Sequence, residues 1–142
     1  MTPEEIKIAR AFVACGQWVW MPGMLTDCGY RLVRRERGAM SGMWRITQHA
    51  PERHLDCVDV ARHGFIPDIT DPCTKGGILQ VMANAHGVSI NDVHVLRTTG
   101  RVWSVWIFRP DDSSYRVATH LPSRVEALLH ALQAAPEVPN DK

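Results

Sequence analysis

The chain has little of what marks a specialised class of protein. No two of its four cysteines, Cys15, Cys28, Cys57 and Cys73, form a C-x-x-C pair, and their spacings match no zinc finger or ribbon. A core of this size needs no disulfide staples, so four reduced thiols and a cytoplasmic location are expected. Neither sign of charge dominates. The formal net charge of +1 leaves no overall field to draw in nucleic acid or an anionic membrane. No apolar run approaches the ~20 residues needed to cross a bilayer. The acidic start, Met1-Thr2-Pro3-Glu4-Glu5, has no basic region followed by an apolar core, so no secretory signal is expected. H-E-x-x-H, the P-loop pattern and G-x-G-x-x-G are all missing, which removes the ready-made metal and nucleotide sites. No cofactor is expected. There is no internal repeat, linker or low-complexity run.

What is present suits an ordinary globular domain. The 142 residues are 45% hydrophobic and 22% charged. A domain of this length buries roughly 70% of the surface its unfolded chain exposes. One domain is expected over residues 1–136, with a frayed tail at 137–142.

Local signals order the chain as helix, strands, helix, strands, helix. Thr2-Pro3-Glu4-Glu5 is a capping box with proline at the first helical position. Ile6, Ile8, Ala9, Phe12, Val13 and Cys15 form an apolar stripe at helical spacing, and Gly16 is the expected stop. Residues 30–34 and 43–47 read as a hairpin around Arg35-Glu36-Arg37-Gly38, and Cys57-Val58-Asp59-Val60 alternates like a short strand. Asp71 caps a helix opening at Pro72 and ending at His86-Gly87. Residues 93–97, 102–108 and 115–119 form a meander whose short links force antiparallel pairing. The nearly all-apolar strand 102–108 is its expected centre, with Trp103 and Trp106 on opposite faces and at least one of them in the core. Ser123 and Glu126 box the final helix, which carries Val125, Leu128, Leu129 and Leu132 on its apolar face. The fold class that follows is α+β: an antiparallel sheet, made of the C-terminal meander and the N-terminal hairpin, with about three helices packed on it.

Few residues invite chemistry. Cys73, near the start of a helix, would feel the positive end of the helix dipole, which favours a thiolate; it is also a small residue that fills a first helical turn. The seven histidines, His49, His54, His63, His86, His94, His120 and His130, are scattered. The densest polar group, His49, His54, Asp56 and Asp59, reads more simply as a solvated loop than as a metal site. Thr74-Lys75-Gly76-Gly77 sits where a helix could cradle a phosphate, but Asp68 and Asp71 would repel one. Arg31, Arg34, Arg35 and Arg37, with Arg45 opposite and Tyr30 and Trp44 nearby, could grip a nucleic-acid backbone and stack bases. The same pattern describes a half-exposed strand whose arginines discourage edge-to-edge pairing. Trp18, Trp20, Met21 and Met24 combine residue types enriched in protein contact patches, including those of a homodimer. Core packing is the competing account.

Three pieces of the chain carry a resemblance. Trp20-Met21-Pro22-Gly23-Met24 is similar to a W-x-x-G-M element. Residues 67–79, Pro67 to Leu79, are similar to a P-D-x-x-D-P-x-T-x-G-x-L-L helix start. Residues 126–136 are similar to a closing helix. In this order they resemble a family of small proteins of tailed phages and prophages. The chain departs from that pattern at Leu25, where arginine is usual, and at Gly77, where a small thiol or apolar residue is usual. The resemblance implies a phage origin and expression in a bacterial cytoplasm. It carries over no catalytic residue.

The sequence therefore points to a phage or prophage accessory protein that acts by contact with a host or phage protein, for instance against host defence, and leans away from catalysis. Two alternatives stand beside it: a nucleic-acid-binding module using the Arg31–Arg37 hairpin, and a thiol enzyme centred on Cys73. No membrane partner is expected.

Overall fold

The computed structural model describes residues 1–36, 42–47, 56–98, 100–109 and 114–136. Among them are α1 (Pro3–Ala14), β1 (Arg31–Arg35), β2 (Met43–Thr47), β3 (Asp56–Asp59), α2 (Pro72–His86), a short 3₁₀ turn (Ile90–Asp92), β4 (Val93–Thr98), β5 (Val102–Phe108), β6 (Ser114–Leu121) and α3 (Arg124–Gln133). The class is α+β, as the pattern of elements implied. The strands form two antiparallel sheets rather than one, ordered β1-β2-β3 and β4-β5-β6. The expected hairpin gains its third strand from Asp56–Asp59, which pairs with β2 from Met43↔Asp59 to Ile46↔Asp56. No helix among the described residues is long and apolar enough to cross a membrane. The tail 137–142 lies outside the described residues.

By backbone proximity the chain divides into two units: Met1–Arg10 with Trp20–Gly77, and Ala11–Val19 with Ile78–Lys142.

In the first unit α1 opens on the expected capping box. The Thr2 N–H donates to Glu5 Oε2 at 2.7 Å and the Glu5 N–H donates to Thr2 Oγ1 at 3.2 Å. Two donors left without partners by helix geometry are thereby satisfied. β2 alternates cleanly, burying Trp44 and Ile46 between half-buried neighbours. Leu32 of β1 pairs with Ile46, and a bulge follows between Leu32 and Arg34. The edge of β1 away from β2 is occupied by the chain's own preceding loop. Leu32 N–H donates to Met24 O, Gly23 N–H donates to Leu32 O, and Leu25 bridges Arg31.

In the second unit α1 ends at Ala14 without the expected left-handed glycine. Gly16 is not in that region; the chain turns instead through a Trp18 N–H bond to Cys15 O. α2 does end as expected. Gly87 has φ +70°, its N–H donates to Asn84 O, and Val88 N–H donates to Ala83 O, the paired bonds of a Schellman cap. The meander pairs in the predicted order with β5 central. α3 lies along β4, β5 and β6, and Ser123 caps it by accepting the Glu126 N–H at 3.1 Å. Its Leu128, Ala131 and Leu132 are buried, as are Val105 and Ile107 of β5. The expectation that Trp103 or Trp106 enters the core fails. Both are half-buried, and Ser104, Val105 and Ile107 take the buried places. Bulges in the β5–β6 pairing on either side of Val105 break the simple alternation.

Candidate functional site

The segment from Pro67 to Gly77 is the most elaborated polar site among the described residues. Asp68 makes a local turn, its Oδ1 accepting from the Thr70 N–H and hydroxyl. Asp71 then caps α2, with Oδ2 accepting the Thr74 N–H at 2.9 Å and the Thr74 hydroxyl at 3.1 Å. The same carboxylate receives a two-pronged contact from Arg31, whose Nη1 and Nη2 lie 3.1 and 3.0 Å from its two oxygens. Arg31 Nη1 also donates to Gly23 O at 2.7 Å. Fully buried Thr74 accepts the Leu25 N–H at 2.9 Å. Arg31's hydrogen bonds hold the Asp71 carboxyl below the usual carboxylate range, against the upward push of burial and with further help from Thr74. The hydrogen bond to Asp71 raises the Arg31 guanidinium in turn.

Gly77 completes this arrangement. A Cβ there would stand 2.7 Å from Met24 Cε and 3.1 Å from Met24 Cγ. The W-x-x-G-M element and the P-D-x-x-D-P-x-T-x-G helix start are thus two halves of one latch. Residues 23–31 are fastened to the first turns of α2 by an ion pair, a buried hydroxyl and a glycine-sized space. The latch supplies its own carboxylate at the helix start, where a phosphate would otherwise sit. Its chemistry is structural.

The arginine hairpin is brought together only in part. Arg31 is committed to Asp71. Arg45 makes a second two-pronged pair, Nε and Nη2 lying 2.6 and 3.1 Å from the Glu36 carboxylate. That bonding holds Glu36 below its usual range and raises Arg45. Arg34 is exposed, as is Arg35, whose guanidinium stands 5.9 Å from the Trp44 ring centre. Arg37 lies outside the described residues. Trp44 is only 2% exposed and so is closed to a base, while Tyr30 is half-buried and packs on half-buried Phe65 with ring centres 5.6 Å apart. Periodicity could not have shown this, because strand alternation says which residues share a face and not which face is covered.

Cys73 is exposed at the second position of α2, and among the described residues no histidine hydrogen-bonds it. The Cys28 thiol is raised, first by burial and then by neighbouring Asp27. Among the described residues no three His, Cys, Asp or Glu side chains stand close enough to hold a metal. His49 and His54 lie outside the described residues, and Asp59 turns its carboxylate onto the Ala61 and Arg62 N–H groups. His86 is buried, its Nε2 donating to Ala131 O at 2.8 Å and tying α2 to α3 within the second unit.

The proposed contact patch is also split. Met24 is 0% exposed and belongs to the latch, which corrects its reading as an interface residue. Met21 and Trp20 are half-buried, and half-buried Trp18 packs on Phe12 with ring centres 5.6 Å apart. The exposed member of that segment is Val19, at 47%. It lines a groove of about 180 Å³ together with Gln17, Val81, Asn84 and Ala85. Two further exposed apolar residues, Leu96 at 48% and Phe108 at 38%, lie on the second sheet. The apolar run of β5 marks it as the central strand of its sheet but does not say which face of that sheet is covered. The clue was the His94–Leu96 alternation in the strand beside it. No known protein family, curated protein or solved structure matches the chain.

Proposed function

We propose that this protein is non-catalytic and acts by contact with another protein, as an accessory protein of a phage or prophage whose partner belongs to the bacterial host or to the phage itself. The observation that carries the reading is Val19, nearly half exposed and lining a groove together with buried Val81, Gln17, Asn84 and Ala85. An exposed aliphatic side chain in a groove lined by further apolar residues and two amides is suited to receive one apolar anchor from a partner. Gln17 is steadied for this by donating to Pro136 O at 3.2 Å. The polar cluster that might have argued for catalysis is consumed in the latch. The resemblance carried by residues 67–79 is the reason to seek the partner in a bacterium.

The test is affinity capture from bacterial lysate with the wild-type chain and with Val19→Asp. A specific protein retained by wild type and lost with Val19→Asp, at unchanged melting temperature, is the expected result. Identical recovery by the two would sink the reading.

A further inference from the structure

We propose that the outer edge of β4 pairs antiparallel with β4 of a second copy of this chain, joining two three-stranded sheets into one of six strands about a two-fold axis. In the order β4-β5-β6 the first strand has a neighbour on one side only. Among the described residues no segment other than β5 pairs with it, and only the Val93 N–H is taken up locally, by Ile90 O. A strand with one neighbour presents a row of backbone donors and acceptors to any other strand, and native chains usually blunt such an edge. This chain does so elsewhere. Residues 23–25 occupy the outer edge of β1, β3 is only four residues long, and β6 is bulged against β5. β4 has no such device: it holds unbroken register with β5 over six residues and contains neither proline nor lysine.

Charge and shape select a second copy. Asp92 stands just before β4, and Arg97 stands near its end. Val93 pairs with Ile107, so the chain that follows β5, with Arg109, Asp111 and Asp112, leaves the sheet at the Asp92 end. The turn into β5 adds Arg101 at the other end. One end of the strand is therefore acidic on balance and the other basic. Among the described residues neither Asp92 nor Arg97 pairs with an opposite charge. An antiparallel two-fold through Val95 sets Asp92 of each copy beside Arg97 of the other. It leaves the two Arg97 residues four positions apart, about 13 Å along the strand, which exceeds the screening length of about 8 Å at physiological salt. The same register places each Leu96 opposite His94 of the other copy. Leu96 is the most exposed large apolar side chain of the described residues, at 48%, and exposed His94 packs on Phe108 with ring centres 4.6 Å apart. Pairing gives Leu96 the cover of that ring. A foreign strand would have to carry the same charges in the reverse order; a second β4, running antiparallel, already does.

Sedimentation equilibrium of the whole protein, from micromolar to millimolar concentration, tests the assignment. One added strand pair buries less than a standard interface, so a dimer with a dissociation constant on the order of tens of micromolar is expected, weaker as salt rises. Leu96→Lys, a change at an exposed side chain, should weaken it roughly tenfold or more. Asp92→Lys and Arg97→Glu should each weaken it roughly 2- to 30-fold through two exposed ion pairs, and the double variant should regain the wild-type constant to within about twofold. Amide hydrogen exchange should slow within β4 as concentration rises. Melting at the lowest concentration shows that each variant folds. A chain that stays monomeric at millimolar concentration would overturn the proposal. So would self-association that leaves exchange in β4 unchanged, a double charge variant no tighter than the single ones, or a dimer lost with Val19→Asp and kept with Leu96→Lys.

Discussion

Met24 fills the space in which a Cβ at Gly77 would stand: its Cε would be 2.7 Å away and its Cγ 3.1 Å. The methionine is fully buried, so its end has little room to retreat. One position earlier, a Cβ at Gly76 would meet nothing within 4 Å.

Two neighbouring glycines of one helix should therefore respond with opposite signs to the same substitution. Gly76→Ala gains helix propensity without a clash and should stabilise by about 0.5–1 kcal/mol. Gly77→Ala gains the same propensity but must displace Met24, a crowding that costs about 1–3 kcal/mol, and should come out destabilising. Urea unfolding of the two variants side by side decides; a stabilised Gly77→Ala would mean that Met24 moves freely.

The Thr74 hydroxyl serves two partners, accepting from Leu25 N–H and donating to Asp71. Thr74→Val has nearly the same shape and leaves the buried Leu25 N–H without its acceptor, at a cost of about 1–3 kcal/mol. Thr74→Ser keeps the oxygen and should lose less. Equal losses in the two variants would show that the methyl group, not the hydroxyl, holds the latch.

The Arg31–Asp71 pair makes stability depend on pH in a defined direction. Its carboxyl sits below the usual range in the folded chain, so the unfolded chain binds that proton more readily. The stability it adds is complete above the unfolded pKa and drains away as pH falls from about 4 through the folded value. Glu36, lowered by Arg45, adds a weaker effect of the same sign at an exposed site that salt screens. Asp71→Asn should cost about 1–3 kcal/mol at pH 7, and the gap to wild type should narrow toward pH 3. Parallel pH profiles for wild type and variant would rule out the pair as the source.

Arg101 carries a local cost. Arg101→Gly should raise stability by about 1 kcal/mol, because glycine adopts φ +62° without a side-chain clash. Thermal melting of the variant beside wild type reads the effect, and an unchanged or lower melting temperature would show that the turn does not strain Arg101.

Much of the local structure was decided within a few residues of sequence. Thr2 with Glu5, Asp71 with Thr74, and Ser123 with Glu126 make their helix-start bonds over three positions, and each falls where the residue types placed it. Gly87 ends α2 because only a residue tolerant of positive φ closes that cap cheaply. The meander followed from short polar turns between apolar strands. What only the tertiary structure decided was pairing at long range and the choice of covered face. Arg31 meets Asp71 across 40 positions, and this meeting turned a suspected nucleic-acid residue into part of a latch. Trp44 and Met24 are buried while Leu96 and Phe108 are not, although all four are large and apolar. Hydrophobicity states that such side chains seek cover; the packing of a helix or loop on one side of a sheet determines which of them receive it.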